Sequence, residues 1–419
     1  MKEIYSVIRR NFTVLIIAQG IYKIFAFLTY VLIARFLGVI GFGQISFALS
    51  FVGLFSVAVD FGLSELLIRD VAGNIGQLGE KYISNIISLK FALAIISYFL
   101  IVVIDFILLK DRLISTLILV LGLCMVLDSF TLFFRSIFRL FERMEFEAFS
   151  LISEAILKLG FVFIMLKYVG ASAIEVGLAL LIVSSVVFIL TKVISIIKFV
   201  RPKFSLDYIF IINLIKKTLP FSFLTFFGVI NFKITTVIAA HLLDYIQVGW
   251  YSAAIRLIEP ILILPVTMAV AIFPSISRIY KDSGLEVFSL YKSYLRVLFY
   301  CGIVIVVVLN IFAHRVVPFV FGKEYLNAIA VFRVLSLSLV PFFLKFFLER
   351  FLLVIERADI MILSYLFGTV LAIVLGGILV KRMGYVGAGI ALGLSEFFIV
   401  GYNLLGLIRI KTRCLKARI

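Results

Sequence analysis

The residues able to do chemistry in this sequence are charged side chains set inside long apolar runs. Lys23 lies near the middle of one run, with Gln19 one helical turn before it and Tyr30 two turns after. Asp128 is central in another. Glu154 and Lys158 stand four apart, the favourable order for a local ion pair on a helix. Asn231 and Lys233 share a run, Arg256 and Glu259 are three apart just before Pro260, and Glu396 is central in the last run. A charge at the centre of a bilayer costs about 2.5–3.5 kcal/mol on insertion scales, so such side chains turn to a protein interior or to water. Lys and Arg offer charge-assisted donors suited to phosphate and carboxylate. Asp128 and Glu396 can pair with those cations or carry protons. Nothing resembles a nucleotide loop, a metal-ligand cluster or a nucleophile triad. Cys124, Cys301 and Cys414 are dispersed, and His241 and His314 cannot form a metal cluster alone. No cofactor and no catalytic residue is indicated.

The elements that hold these charges are membrane spans. Of 419 residues, 64% are hydrophobic and 15% charged, with a mean hydropathy of +1.23. A soluble domain is about half apolar and about a quarter charged. Spanning runs of about 20 apolar residues fall at roughly 13–36, 39–63, 83–109, 113–138, 147–168, 174–198, 219–243, 247–275, 296–320, 327–352, 360–381 and 385–408. They are too long for barrel strands and do not alternate, so the fold class is an all-α polytopic membrane protein of about twelve helices. The net charge of +17 does not signal nucleic acid, because the basic residues sit between the runs. With the N-terminus inside, Lys and Arg favour the inner segments by about three to one, which predicts a multi-pass plasma (inner) membrane protein with both termini cytoplasmic. A signal peptide is not indicated, and the sequon at Asn11 falls on the cytoplasmic side. No loop is long enough for a catalytic domain. Trp250 reads as an interfacial anchor.

The chain divides into residues 1–200, a basic interfacial linker at 201–217, and residues 218–419, each large part holding six helices. A further inner segment, about 276–295, is polar enough to lie at the surface. The halves echo each other: Ala34, Gly43 and Ala48 recur as Ala240, Gly249 and Ala254, about 206 residues on. Six helices per half give both repeats one orientation, a parallel repeat of the kind transporters use. Pro220, Pro260, Pro265 and Pro341 lie in or beside spans, where proline bends a helix. Two on one run suggest a hinge or a static kink. Lys90, Arg135, Arg139, Lys345 and Arg350, near inner helix ends, read as snorkelling side chains.

These segments resemble a known family. The first hairpin, Ala34-Arg35-Phe36-Leu37-Gly38-Val39-Ile40-Gly41-Phe42-Gly43-Gln44, is similar to the opening of polysaccharide-biosynthesis flippases. So are Asp60-Phe61-Gly62-Leu63 with Arg69-Asp70, Gly249 to Ala254, Arg256 to Pro260, and Phe273 to Arg278. The family is the oligosaccharide flippase branch of the multidrug/oligosaccharidyl-lipid/polysaccharide exporter superfamily. The resemblance implies two six-helix bundles in a V around a cavity, and alternating access that moves an isoprenoid-linked oligosaccharide to the outer leaflet. It implies Lys23 and Lys233 facing each other across that cavity, with Arg256 joining them to attract phosphate and sugar carboxylates. Glu259, Asp128, Asn231 and Gln19 complete the expected pathway. Glu154, Lys158 and Glu396 are expected as ion-pair or proton-coupling groups, and for Glu154 and Lys158 the satisfied pair is preferred to a ligand role. The expected partners are the bilayer, a lipid-linked oligosaccharide and a polysaccharide polymerase or other glycan-assembly protein. Absence of two further C-terminal helices disfavours the peptidoglycan-precursor branch. The alternatives are a cation-coupled multidrug exporter of the same superfamily and a membrane glycan polymerase or ligase. The last would need a large outer loop that the sequence does not provide.

Overall fold

The computed structural model describes residues 2–71, 76–108, 111–269, 272, 276 and 286–416, with the side chains of 2–10, 12, 77–78, 220–221, 286–290 and 413–416 outside that description. The Phe273 to Arg278 motif apart from Ile276, and residues 277–285 of the 276–295 segment, therefore lie outside the described residues, as do the side chains of the terminal basic residues Lys2, Arg9, Arg10, Arg413, Lys416 and Arg418. Among the described residues every regular element is a helix. Lipid offers the backbone no hydrogen bonds, so each span must satisfy its own.

The first element, α1, runs Lys2–Asp60, 59 residues broken by non-helical Gly38 at φ 64°. An unbroken helix of that length would measure about 88 Å at 1.5 Å per residue, nearly three hydrocarbon thicknesses. Gly38 therefore splits it into two spans. After Phe61 and Gly62, both at positive φ, come α2 (Leu63–Val71), α3 (Gln77–Leu108), α4 (Arg112–Leu140), α5 (Met144–Ile164, extended by one π-turn) and α6 (Ala173–Lys198). Asp111 and Ser172 accept from the backbone N–H groups of Leu113 and Ile174, capping α4 and α6. The chain continues with α7 (Tyr208–Leu242), α8 (Tyr245–Ile258, running into a 3-10 turn at Glu259–Leu262), α9 (Glu286–Phe321), α10 (Ala328–Leu337), α11 (Leu339–Val354) and α12 (Ala358–Lys416). Gly384, at φ 62°, breaks α12 as Gly38 breaks α1. Ten helical stretches are long and apolar enough to cross a membrane, with each glycine-broken helix taken as one. Dividing those two gives twelve spans among the described residues, in the predicted places.

Two compact units result, Met1–Phe226 and Phe227–Ile419, and the boundary falls inside α7. In the first, α1 packs on α4 and α5, and α4 on α6. In the second, α8 packs on α10 and α12, and α11 on α9 and α12. Large apolar side chains such as Phe106 and Phe319 stay exposed, as lipid-facing surfaces require.

The basic linker is pinned to the first unit. The backbone N–H groups of Lys203, Ser205 and Asp207 donate to Ser84 Oγ (3.3 Å), Ser88 Oγ (3.1 Å) and Asn85 Oδ1 (2.9 Å) on α3. Between these anchors Leu206 and Tyr208 are 69% and 77% exposed, and the Phe204 ring lies edge-to-face against Phe91 of α3 at 6.0 Å. Lys81 pairs with Asp207 at 2.8 Å, and Lys217 with Asp70 at 2.8 Å.

Loops expected on one side of the membrane meet one another. Asn11 Nδ2 donates to the carbonyl of Glu142 in the first unit. In the second unit, Trp250 Nε1 donates to the carbonyl of Glu324, Tyr385 OH donates to that of Asn327, and Gly384 faces Gln247.

Candidate functional site

Charges buried in spans are stable only when their neighbours replace water. In the first unit, α4 and α5 place two cations and two carboxylates in one network. Arg135 donates to Glu154 Oε2 at 2.7 Å and to Ser150 Oγ at 2.9 Å. Lys158 donates to Glu154 Oε1 at 2.6 Å and lies 3.7 Å from Asp128 Oδ2. Tyr22 of α1 adds a hydroxyl to Glu154 Oε1 at 3.2 Å. Glu154 is saturated with donors. The Asp128 side chain remains 45% exposed. It opens onto a cavity of about 270 Å³ between α1, α4, α5 and α6, where Lys158, Tyr22, Tyr30 and Ser184 also face.

A second network fixes α3 to the end of α1. Lys90 is fully buried and donates to Asp60 Oδ1 at 2.5 Å and Ser129 Oγ at 2.9 Å. Here the structure departs from the snorkelling expected for Lys90, Arg135 and Lys345. Each finds a carboxylate inside the protein, which compensates a buried ammonium or guanidinium better than a long reach to the interface. Arg139 also turns to protein, forming a two-pronged pair with Glu147.

The second unit holds two clusters. Asn231 of α7 donates to Glu396 Oε1 at 2.8 Å, and Lys345 of α11 lies 2.7 Å from Glu396 Oε2. One turn on, Glu349 accepts from Tyr365 OH at 2.6 Å. Sequence reasoning named Glu396 and Asn231 but missed Glu349 and Tyr365. The four-residue spacing of Lys345 and Glu349 was the available signal. The other cluster is cationic. Arg256 pairs with Glu259 at 2.7 Å, and both act electrostatically on half-buried Lys233 of α7. Among the described residues no ion pair neutralises Lys233, which brings a second cation beside Arg256. Lys23 and Gln19 are exposed on α1.

Around these clusters stands a polytopic helical membrane protein with the fold of the multidrug/oligosaccharidyl-lipid/polysaccharide (MOP) exporter superfamily of transporters and flippases. A multidrug-resistance MATE family transporter in its inward-facing conformation superposes with a TM-score of 0.72 at 17% identity, covering 92% of this chain and 94% of that one. The lipid II flippase MurJ, inward closed, gives 0.73 at 16% identity, covering 93% and 86%. A MOP superfamily transporter from Pyrococcus furiosus, described by a reversed polarity of its binding pocket, gives 0.65 at 17%, covering 96% and 95%. No curated protein matches significantly. The profile of the family described as "Polysaccharide biosynthesis protein" matches residues 8–280. The chain belongs to that family.

Proposed function

We propose that the protein is a flippase for isoprenoid-pyrophosphate-linked oligosaccharide units, moving them from the cytoplasmic to the outer leaflet by alternating access for surface polysaccharide assembly. The observation that carries this reading is the Lys233–Arg256–Glu259 cluster, where two cations and one carboxylate inside a span suit a pyrophosphate. Membership of a polysaccharide biosynthesis family and likeness to a lipid II flippase support it. In this reading Lys23, Gln19 and Asp128 of the first unit and Asn231 of the second belong to the substrate pathway. Glu154 with Lys158 acts as a structural ion pair, and Glu396 as an ion-pair or proton-coupling group. The site lies in the plasma membrane with both termini cytoplasmic, and a glycan polymerase would take the product. A deletion strain should accumulate lipid-linked sugar intermediates on the cytoplasmic leaflet. Normal surface polysaccharide in that strain would overturn the proposal.

The likeness to MATE transporters and the paired carboxylates Glu349 and Glu396 favour a second reading, cation-coupled drug export. Drug resistance on overexpression without any glycan phenotype would establish that reading instead.

A further inference from the structure

We propose that the cavity inside the N-terminal unit is a subsite for one neutral sugar ring, separate from the cationic cluster of the second unit. The inference rests on the lipid-linked glycan reading and says where part of the glycan sits. The argument begins with charge. Arg135, Lys158, Glu154 and Asp128 sum to zero, and Glu154 already accepts from three donors. A cationic ligand would leave Lys158 and Arg135 in excess. An anionic one would compete with Asp128 for Lys158. A neutral ligand disturbs neither.

Hydrogen-bonding capacity narrows the class. The Asp128 carboxylate faces the cavity, and its nearest ammonium, 3.7 Å away, is beyond hydrogen-bond reach. Beside it the Ser184 hydroxyl is 1% exposed and acts on the Asp128 carboxylate without a partner inside full hydrogen-bond geometry. A carboxylate with open lone pairs next to a buried, under-satisfied hydroxyl calls for a ligand with several O–H groups. The remaining walls include the rings of Tyr22 and Tyr30 and the side chain of Cys124. Aromatic faces cover the apolar C–H face of a pyranose while its hydroxyls point to the polar wall. The volume, about 270 Å³, falls just below the roughly 300–1,000 Å³ of sites for drug-sized ligands. It admits one ring and not a whole oligosaccharide.

The test is saturation-transfer NMR on the full-length protein in lipid nanodiscs. Three methyl glycosides serve as probes: a neutral hexopyranoside, an N-acetylhexosaminide and a hexuronide. At least one neutral probe should receive saturation, and Asp128→Asn and Ser184→Val should weaken that binding at least tenfold. Thermal unfolding checks the variants, and where Asp128→Asn fails to insert, Ser184→Val carries the comparison. No transfer to either neutral probe, undiminished transfer in the variants, or binding of the hexuronide alone would each overturn the subsite. Calorimetric titration of the same samples with inorganic pyrophosphate reports separately on Lys233 and Arg256. Pyrophosphate binding without sugar binding would sink the subsite and leave the flippase reading standing.

Discussion

Lys233 is the side chain on which transport is expected to turn. Its charge beside Arg256 and Glu259 is unfavourable in an empty span and becomes favourable when an anion arrives. Lys233→Ala should therefore abolish surface-polysaccharide rescue of a deletion strain while leaving membrane insertion and thermal stability unchanged or slightly raised. Lys23→Ala, at an exposed position of α1, should do the same. Full rescue by both variants would mean that the pathway runs elsewhere. Arg135 should behave in the opposite way. It is nearly buried and holds Glu154 at 2.7 Å. Removing one partner of a buried pair leaves an uncompensated charge, at about 3–5 kcal/mol. Arg135→Ala should give a large fall in thermal stability, and Arg135→Lys a partial recovery. Most of the residues in both networks were legible in the sequence, because a charge in an apolar run announces itself. Their partners were not. Lys345 was read as reaching for the interface, since nothing in the linear pattern shows that α12 brings Glu396 within 2.7 Å of it.

Among the elements, the two glycine-broken helices share a device. Gly38 and Gly384 both have positive φ, where a side chain costs about 1–2 kcal/mol. The following residues repeat as well: Gly38, Gly41 and Gly43 match the spacing of Gly384, Gly387 and Gly389. A Cβ on Gly387 would stand 2.1 Å from the carbonyl oxygen of Leu379, a backbone atom that cannot step aside. Gly387→Ala should therefore abolish accumulation of folded protein, whereas Gly377→Ala, whose Cβ meets nothing within 4 Å, should be tolerated. Membrane-fraction immunoblots and size-exclusion profiles distinguish them. The sequence pattern located the spans on either side of both breaks. It paired the first hairpin with residues 240–254, where capping Asp244 stands in the place of Gly38, and it overlooked the closer match at 384–389. Short α2 also escaped notice, because its amphipathic nine residues carry too little apolar length to read as a span. The strap along α3 gives a pH prediction. Lys81 and the backbone N–H of Phe210 hold the Asp207 carboxyl below the usual carboxylate range. A carboxylate depressed on folding contributes stability above its unfolded pKa and loses it as pH falls through the folded value. Amide exchange over residues 203–207, corrected for intrinsic rate, should quicken below about pH 4, and Asp207→Asn should show the faster exchange already at neutral pH.

For the whole molecule, twelve spans with alternating direction require that every second loop share a face. Contacts within each unit obey this. Asn11 reaches Glu142, Lys81 reaches Asp207 and Lys217 reaches Asp70, all between segments assigned to the inner face. In the second unit, Trp250 meets Glu324 and Tyr385 meets Asn327, all assigned to the outer face. The excess of Lys and Arg on the former set predicts that it is the cytoplasmic face. In a background with Cys124, Cys301 and Cys414 replaced by serine, Ser205→Cys should be shielded from a membrane-impermeant maleimide in intact cells and react after permeabilisation. Ser172→Cys, at the loop between α5 and α6, should react in intact cells. The reverse pattern would invert the topology and place the basic strap outside, where no acidic inner-leaflet surface would hold it. Substrate loading from the cytoplasmic leaflet would then lose its structural basis together with the positive-inside argument.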